Sequence, residues 1–270
     1  MGLFQSYNKP GKGIDENAPP KRRFFMFFEL LFRKLSKLIL LNLMYFITII
    51  PSFILLTIVS EISLGVFFQG IEFGEVPFLG TIFAVFLICV WGAGPVTAGF
   101  TYIIRNYGRE EHAWIWSDFW ENTRKNFKQA IIVFAVDLVF LYLFFVAVTF
   151  YGSYGGMLFS FVNILMLIFF VIYTFMHLYI YPMMITFKLP LRALYKNAFI
   201  FALLRFPQNV LIMAFIFAIL WVGLGNSLFM LITIPLILFS LCGYIGTFWT
   251  YPTLQKYMIK SDDTVKPDYD

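Results

Sequence analysis

Two ionisable side chains, Asp137 and His177, lie inside long apolar stretches of the 270-residue sequence. Asp137 follows Gln129 by about eight residues, a depth of about 12 Å in a helix that rises 1.5 Å per residue. His177 precedes Met183 by about six residues, or about 9 Å by the same rise. A carboxylate in apolar surroundings must find a partner or take up a proton. We therefore predict that the two side chains meet between neighbouring helices, as a structural clamp or as a proton or solute relay. If the helix faces diverge instead, they make no contact.

Two further polar residues share the apolar stretch of His177. Asn163 and Thr174 fall near the face that carries His177 and Tyr181, at helical spacing. Hydroxyl and amide groups on the same face can form hydrogen bonds with the histidine, whereas lipid chains cannot. The pattern therefore predicts an intramembrane polar cluster of Asp137, His177, Asn163 and Thr174.

The composition indicates that lipid surrounds the helices that position this cluster. Hydrophobic residues make up 60% of the chain and charged residues 13%, whereas roughly a quarter of the residues in ordinary soluble domains are charged. In lipid, apolar side chains can face outward while a helix satisfies its own backbone groups. The net charge of +5 does not point to nucleic acid, because the cations sit at the ends of apolar runs. We expect an all-α membrane protein in contact with the bilayer.

Six stretches reach the roughly 20 apolar residues that a spanning helix needs. They are residues 38–60, 78–104, 130–150, 158–183, 206–224 and 227–250. Gly225 and Asn226 form a turn signal between the last two stretches. We predict a six-helix transmembrane domain over residues 38–250, arranged as three hairpins.

The distribution of cations predicts the orientation of these spans. All 20 lysine and arginine residues fall in four segments, residues 9–37, 105–128, 188–205 and 256–266. These segments lie before the first span and after the second, fourth and sixth spans. The segments that follow the odd-numbered spans contain no lysine or arginine. Because cytoplasmic segments next to spans are enriched in lysine and arginine, we predict that both termini are cytoplasmic.

The segments outside the spans have distinct compositions. Residues 21–37 mix phenylalanine and leucine with arginine and lysine, which predicts an amphipathic helix at the inner interface. That helix would anchor the first span or sense lipid. Residues 1–20 are polar and rich in helix breakers, and residues 251–270 are polar towards their end. We predict a disordered N-terminal tail and a cytoplasmic C-terminal tail.

Small residues surround a proline in the second span. Gly94, Ala98 and Gly99 lie beside Pro95. Small residues four apart allow two helix backbones to approach closely, which drives packing in lipid. The alternative is a broken helix that lines a substrate site, as in transporters.

The same region resembles a known family. The chain reads Gly92-Ala93-Gly94-Pro95-Val96-Thr97-Ala98-Gly99, then Arg105-Asn106, then Asp118-Phe119 leading to Lys125-Asn126-Phe127. This pattern resembles the YesL-like family of bacterial membrane proteins, a domain-of-unknown-function family. The residues that carry the resemblance are Asn42, Pro51, Gly94, Pro95, Arg105, Asp118, Phe119, Asn126 and Asn197. The chain departs from the family pattern in the long interval between Pro51 and Gly94.

The resemblance implies a setting and no established reaction. It implies a protein of the bacterial cytoplasmic membrane, often encoded beside sugar-uptake systems. On that basis we expect an accessory or regulatory partner of carbohydrate uptake. Its partner would be a carbohydrate ABC transporter or a membrane sensor, contacted through residues 105–129 and 184–205. The alternative is a small-solute, sugar-related transporter with a polar site around Asp137 and His177.

Catalytic signatures are missing from the sequence. It has two histidines and lacks H-E-x-x-H, C-x-x-C, P-loop and G-x-S-x-G motifs. Glu110, Glu111, His112 and Asp118 share one loop and could be imagined as metal ligands, or they form a solvated surface. We expect the solvated surface, no enzyme activity and no cofactor.

Overall fold

A computed structural model of the protein describes residues 22–67, 76–154 and 156–259. Within these ranges all regular structure is helical. Residues 1–21, which include the predicted N-terminal tail, and residues 68–75, 155 and 260–270 lie outside the described residues. The helices are α1 Arg23–Arg33, α2 Leu35–Phe67, α3 Val76–Val90, α4 Pro95–Gly108, α5 Ile115–Lys125, α6 Phe127–Ser153, α7 Met157–Thr186, α8 Leu191–Leu204, α9 Phe206–Leu224, α10 Ser227–Thr233, a π-helical turn Ile234–Leu238 and α11 Phe239–Met258.

Five helical segments are long and apolar enough to cross a bilayer. They are α2, α6, α7, α9 and the continuous segment Leu228–Met258. Helices α3 and α4 pass the same test together, although they are bent by 52° at the break between them, and they make a sixth span if the pair counts as one. The predicted helical membrane protein is confirmed at this level.

The helix boundaries differ from the predicted segments in three places: the second span, the interfacial helix and the C-terminal tail. The second predicted span is interrupted, because Gly92 and Gly94 adopt positive φ values of 88° and 79° and Pro95 then starts a new helix. Residues 21–37 do not form one helix, since α1 ends at Arg33 and α2 starts at Leu35. The first part of the predicted C-terminal tail, from Tyr251 to Met258, continues α11.

Helix α1 docks on α11 through one face. Phe27 and Leu30 are buried, whereas Phe24, Phe25 and Phe32 are exposed. The Phe27 ring stacks on Tyr244 with centroids 5.1 Å apart, and the Tyr244 hydroxyl donates to the Phe27 carbonyl at 3.3 Å. The exposed phenyl groups on the other face are consistent with a helix that lies at an apolar interface.

Asn42 of α2 joins the first span to the last. Its amide nitrogen donates to the carbonyls of Ile234 and Pro235, at 2.8 and 2.6 Å. Its amide oxygen accepts the backbone N–H of Ser240 at 2.8 Å. A π-helical turn that contains a proline leaves backbone groups without their usual partners. The buried Asn42 side chain satisfies three such groups, and this gives a structural role to one of the residues that carry the family resemblance.

The ends of several helices meet at one end of the bundle. Arg33 pairs with Glu110 after α4. The Arg105 guanidinium donates to Thr186 at the end of α7, at 3.0 Å. The Gln129 amide near the start of α6 donates to the Leu189 carbonyl at 2.8 Å. We call this end, which carries Arg33, Arg105, Arg109, Arg205 and Lys256, the basic end.

Candidate functional site

Asp137 of α6 and His177 of α7 are in direct contact. Nε2 of His177 lies 2.9 Å from Oδ1 of Asp137. Both residues are only 2% exposed. Helices α6 and α7 pack along each other, so residues at similar depths on facing sides can meet.

The hydrogen bonds restrict the protonation state of the pair. Nδ1 of His177 lies 3.0 Å from the backbone carbonyl oxygen of Tyr173. A carbonyl can only accept, so Nδ1 carries a hydrogen. One further proton must then lie between Nε2 and Oδ1, on either the nitrogen or the carboxyl oxygen. In both states the pair is electrically neutral, which reduces the cost of burying two ionisable groups.

Tyr173 is the third member of this group. Its hydroxyl donates to Oδ1 of Asp137 at 2.7 Å. Among the described residues, Oδ2 of Asp137 has no hydrogen-bond partner, and it is buried, as are the hydroxyls of Tyr181 and Tyr195. Burial, and then the nearby Asp137 carboxyl, raise the pKa of Tyr195 on α8. The carboxyl group therefore keeps one free oxygen inside a phenol-rich pocket.

Trp91 covers the other side of the histidine. The indole stacks on the His177 ring with centroids 5.1 Å apart and an interplanar angle of 19°. Its Nε1 donates to the hydroxyl of Thr174 at 3.3 Å. The predicted member Thr174 is thus linked to His177 through Trp91. Sequence reasoning missed Trp91 and Tyr173, although Tyr173 stands one helical turn before His177 and on the same face.

Asn163 does not join this group, and the predicted cluster is corrected here. It stands 14 residues before His177 on α7, which separates the two by about 21 Å along the helix axis. The Asn163 amide instead lies beside Gly152 near the other end of α6. Helical spacing places residues on one face and carries no information on depth.

The break between α3 and α4 borders the same region. The Thr97 hydroxyl accepts the backbone N–H of Ala93 at 2.7 Å and lies 2.8 Å from the Tyr45 hydroxyl. A side chain at Gly92 would collide with Thr97 and with the Tyr181 ring. A cavity of about 50 Å³ lies between the break and His177, and Tyr45, Thr97 and Tyr181 also line it. That volume is large enough for water.

Gly99 follows the break and supports close packing of α4 on α5. A methyl group at Gly99 would lie 2.2 Å from the Phe119 carbonyl oxygen and 2.4 Å from the Thr123 hydroxyl. Phe119 itself is fully buried. Each interpretation of the small-residue segment corresponds to one feature of the structure. Gly99 allows close helix packing, and the break from Gly92 to Pro95 borders a cavity.

The remaining residues of the family pattern have structural positions. Oδ2 of Asp118 accepts the Trp114 backbone N–H at 2.8 Å and so caps the start of α5. The Asn126 amide donates to the Asn122 carbonyl at 2.9 Å. Pro51 is exposed within α2, and Asn197 is half-buried on α8.

The side chains of the acidic loop before α5 contact other side chains of the protein. Glu110 pairs with Arg33, and Glu111 pairs with Arg109 at 2.7 Å. The His112 ring packs edge-on against Trp114. Among the described residues, no three His, Cys, Asp or Glu side chains are grouped as metal ligands.

One comparison with known proteins returned a match. A family described as "Protein of unknown function, DUF624" matches residues 24–148. The matched segment runs from α1 into α6, so it contains Asp137 and ends before His177. No curated protein and no solved structure matches the chain. The chain is thus similar to this family of unknown function from α1 to most of α6, a segment that holds three of the candidate spans when α3 and α4 count as one. That similarity is compatible with the YesL-like pattern.

Proposed function

We propose that the chain is a multi-pass protein of the bacterial cytoplasmic membrane, with six spans in three hairpins and both termini in the cytoplasm. The cations of the described helices gather at the basic end. Cytoplasmic segments next to membrane spans are enriched in lysine and arginine. The basic end would therefore face the cytoplasm.

Within this arrangement, we propose an accessory or regulatory role in a carbohydrate uptake system. The setting rests on the YesL-like resemblance. The carrying observation is that helix α5 and the residue before it present exposed indoles at the basic end: Trp114 is 67% and Trp116 69% exposed. Trp116 and Trp120 border a surface cleft that Glu121 and Arg124 also line. Tryptophan and arginine are enriched at the centres of protein interfaces.

A second exposed surface lies on the other proposed contact segment. Helix α8 leaves Phe199, Ile200, Leu203 and Leu204 exposed. Together α5 and α8 fall within residues 105–129 and 184–205. A carbohydrate ABC transporter or a membrane sensor would contact these two helices. The proposal includes no catalytic activity.

The packing of the interior favours this role over transport. The cavity beside His177 measures about 50 Å³, whereas small-molecule sites are typically about 300–1,000 Å³. Aromatic rings fill the neighbouring space: Tyr173 stacks on Phe140 with centroids 3.9 Å apart, and Phe144 on Phe170 at 4.5 Å. A sugar has no room there in this conformation.

Affinity purification in mild detergent, with identification of co-purifying membrane proteins, tests the accessory role. We expect the full chain to recover components of a carbohydrate import system, and Trp116→Ala to reduce that recovery at least fivefold. Trp221→Ala is the matched control, because Trp221 is 83% exposed and lies on α9 far from α5. Equal recovery with both variants, or recovery of no membrane partner, would contradict the proposal.

A small-solute, sugar-related transporter is the second candidate, and one observation favours it. The neutral Asp137–His177 pair, with a free carboxyl oxygen, lies beside a broken span and a cavity. Broken helices next to buried ionisable groups occur in transporters. Sugar uptake by proteoliposomes that is driven by a pH gradient, and abolished in Asp137→Asn, would favour transport. Uptake that is absent, or that is unchanged in the variant, would count against it.

A further inference from the structure

A long apolar groove runs along the outside of the bundle between α1, α9 and α11. Its volume is about 780 Å³. On α9, the lining residues Gln208, Leu211, Phe215 and Ile219 form a stripe at helical spacing. From Gln208 to Ile219 this stripe extends about 17 Å along the axis. The groove therefore begins near the start of α9, at the basic end, and continues towards the middle of the bundle.

The wall of the groove that faces α9 and the part of the groove next to α1 are also apolar. On α11, Leu241, Ile245 and Trp249 face the same space. On α1, the aromatic side chains Phe24 and Phe28 contribute to the lining. The Gln208 amide is turned away from the open space, since it donates to the Trp249 carbonyl at 2.6 Å.

Three cations stand at the basic end of the groove. Arg205 and Lys256 approach the same ring, with the guanidinium 5.4 Å and the ammonium 5.8 Å from the Tyr257 centroid. The Arg23 guanidinium lies 4.7 Å from the Phe248 ring centroid. Burial lowers the pKa of Arg23 to about 10, which leaves it charged at neutral pH.

The positive charge at this end is not neutralised within the described part of the chain. Among the described residues, no aspartate or glutamate lines the groove, and no ion pair involves any of these three cations. Arginine and lysine side chains that lack a carboxylate favour an anionic partner.

We propose that this groove binds one anionic phospholipid. Its phosphate lies at Arg205 and Lys256, with Arg23 contributing charge, and one acyl chain lies between α9 and α11. The arrangement matches an amphiphile, because a soluble anion leaves the apolar slot empty and a neutral lipid leaves the cations unpaired. Basic pockets between membrane helices recognise anionic head groups in this way. The inference goes beyond the accessory role and does not depend on it.

Native mass spectrometry of the full chain in detergent, titrated with phosphatidylglycerol or phosphatidylcholine, tests this site. We expect one retained phosphatidylglycerol molecule, bound at least tenfold more tightly than phosphatidylcholine. The double variant Arg205→Gln/Lys256→Gln should weaken phosphatidylglycerol binding by about 10- to 30-fold, because each cation near a lipid surface contributes about 1 kcal/mol. Lys125→Gln/Lys128→Gln removes the same charge from exposed positions outside the groove and should change binding by less than about twofold.

A second variant tests the acyl-chain part of the groove without touching a cation. Leu211→Trp fills the slot at a position that is 63% exposed, so loss of folding is not expected. It should weaken phosphatidylglycerol binding, whereas Val222→Trp, on the same helix but outside the groove, should not. Thermal unfolding of each variant checks that the fold is retained.

Four results would overturn the proposal. They are equal affinity for the two lipids, equal losses in the groove and control variants, displacement of the lipid by inorganic phosphate at matching concentration, and a homodimer that Leu211→Trp dissociates. The third result assigns the cations to a soluble anion, and the fourth assigns the groove to a second copy of the chain.

Discussion

Nε2 of His177 lies 2.9 Å from Oδ1 of Asp137, and the hydroxyl of Tyr173 donates to the same carboxyl oxygen at 2.7 Å. This contact ties α6 to α7 in a region where lipid-facing side chains cannot provide polar partners. We therefore expect the pair to act as a polar clamp between the two spans.

A double-mutant cycle measures the strength of this clamp. Asp137→Ala, His177→Ala and the double variant should reveal a coupling free energy of about 1–3 kcal/mol, because residues in one hydrogen-bond network are not independent. Thermal unfolding in detergent provides the measurement. A cycle of Asp137→Ala with Asn163→Ala is the control and should be additive within about 0.5 kcal/mol. Equal coupling in both cycles would refute the clamp.

Asn42→Leu should destabilise the protein by about 3 kcal/mol or more. The substitution keeps the approximate shape but leaves the Ile234 carbonyl, the Pro235 carbonyl and the Ser240 N–H without the partner that Asn42 provides. Buried backbone groups without partners cost about 1–3 kcal/mol each.

Thr48→Val on the same helix is the control for Asn42. Among the described residues, the Thr48 hydroxyl bonds only to the carbonyls of Met44 and Tyr45 on its own helix, so its loss should cost less than about 1 kcal/mol. Denaturant or thermal unfolding of the two variants gives the comparison. A cost for Asn42→Leu no larger than that for Thr48→Val would rule out a bridging role.

Gly99→Ala should loosen the packing of α5 on α4. The added methyl group would meet the Phe119 carbonyl, a backbone atom that cannot rotate away. Overpacking of this kind costs about 1–3 kcal/mol. Gly108→Ala on the same helix is the matched control, because its methyl group would lie 3.6 Å from the Phe248 ring in ordinary contact. Limited proteolysis in the loop before α5, together with the unfolding temperature, should distinguish the two variants.

Part of this fold could be predicted from composition and spacing, and part could not. Apolar length was sufficient to predict the membrane helices, because it reflects a solvent that cannot hydrogen-bond the backbone. The break after Trp91 was harder, since a proline in an apolar run often only bends a helix. It becomes a break here because Gly92 and Gly94 both adopt positive φ. The π-helical turn at Pro235 was equally hidden, because its partner Asn42 lies about 190 residues earlier in the chain.

The candidate site was predictable only in its charged members. Asp137 and His177 stand out because ionisable groups are rare in apolar runs. Tyr173 and Trp91 do not stand out, since the chain contains 15 tyrosines and many aromatic residues besides. Asn163 lies apart from the other three residues of the predicted cluster, because residues on one face of a helix can stand at different depths. The contacts of all these residues are set by how α3, α6 and α7 pack together. That packing depends on pairs of distant segments, so the pattern within any one segment does not predict it.

The orientation of the basic end is the claim on which the proposed function depends, and cysteine labelling in intact cells tests it most directly. In a chain with Cys89 and Cys242 replaced by alanine, Lys125→Cys places a thiol at an exposed position on α5, and Met157→Cys places one at the opposite end, where Met157 is 92% exposed. We predict that a membrane-impermeant maleimide labels the cysteine at 157 in intact cells and the one at 125 only after permeabilisation. Labelling at 125 in intact cells would contradict the account.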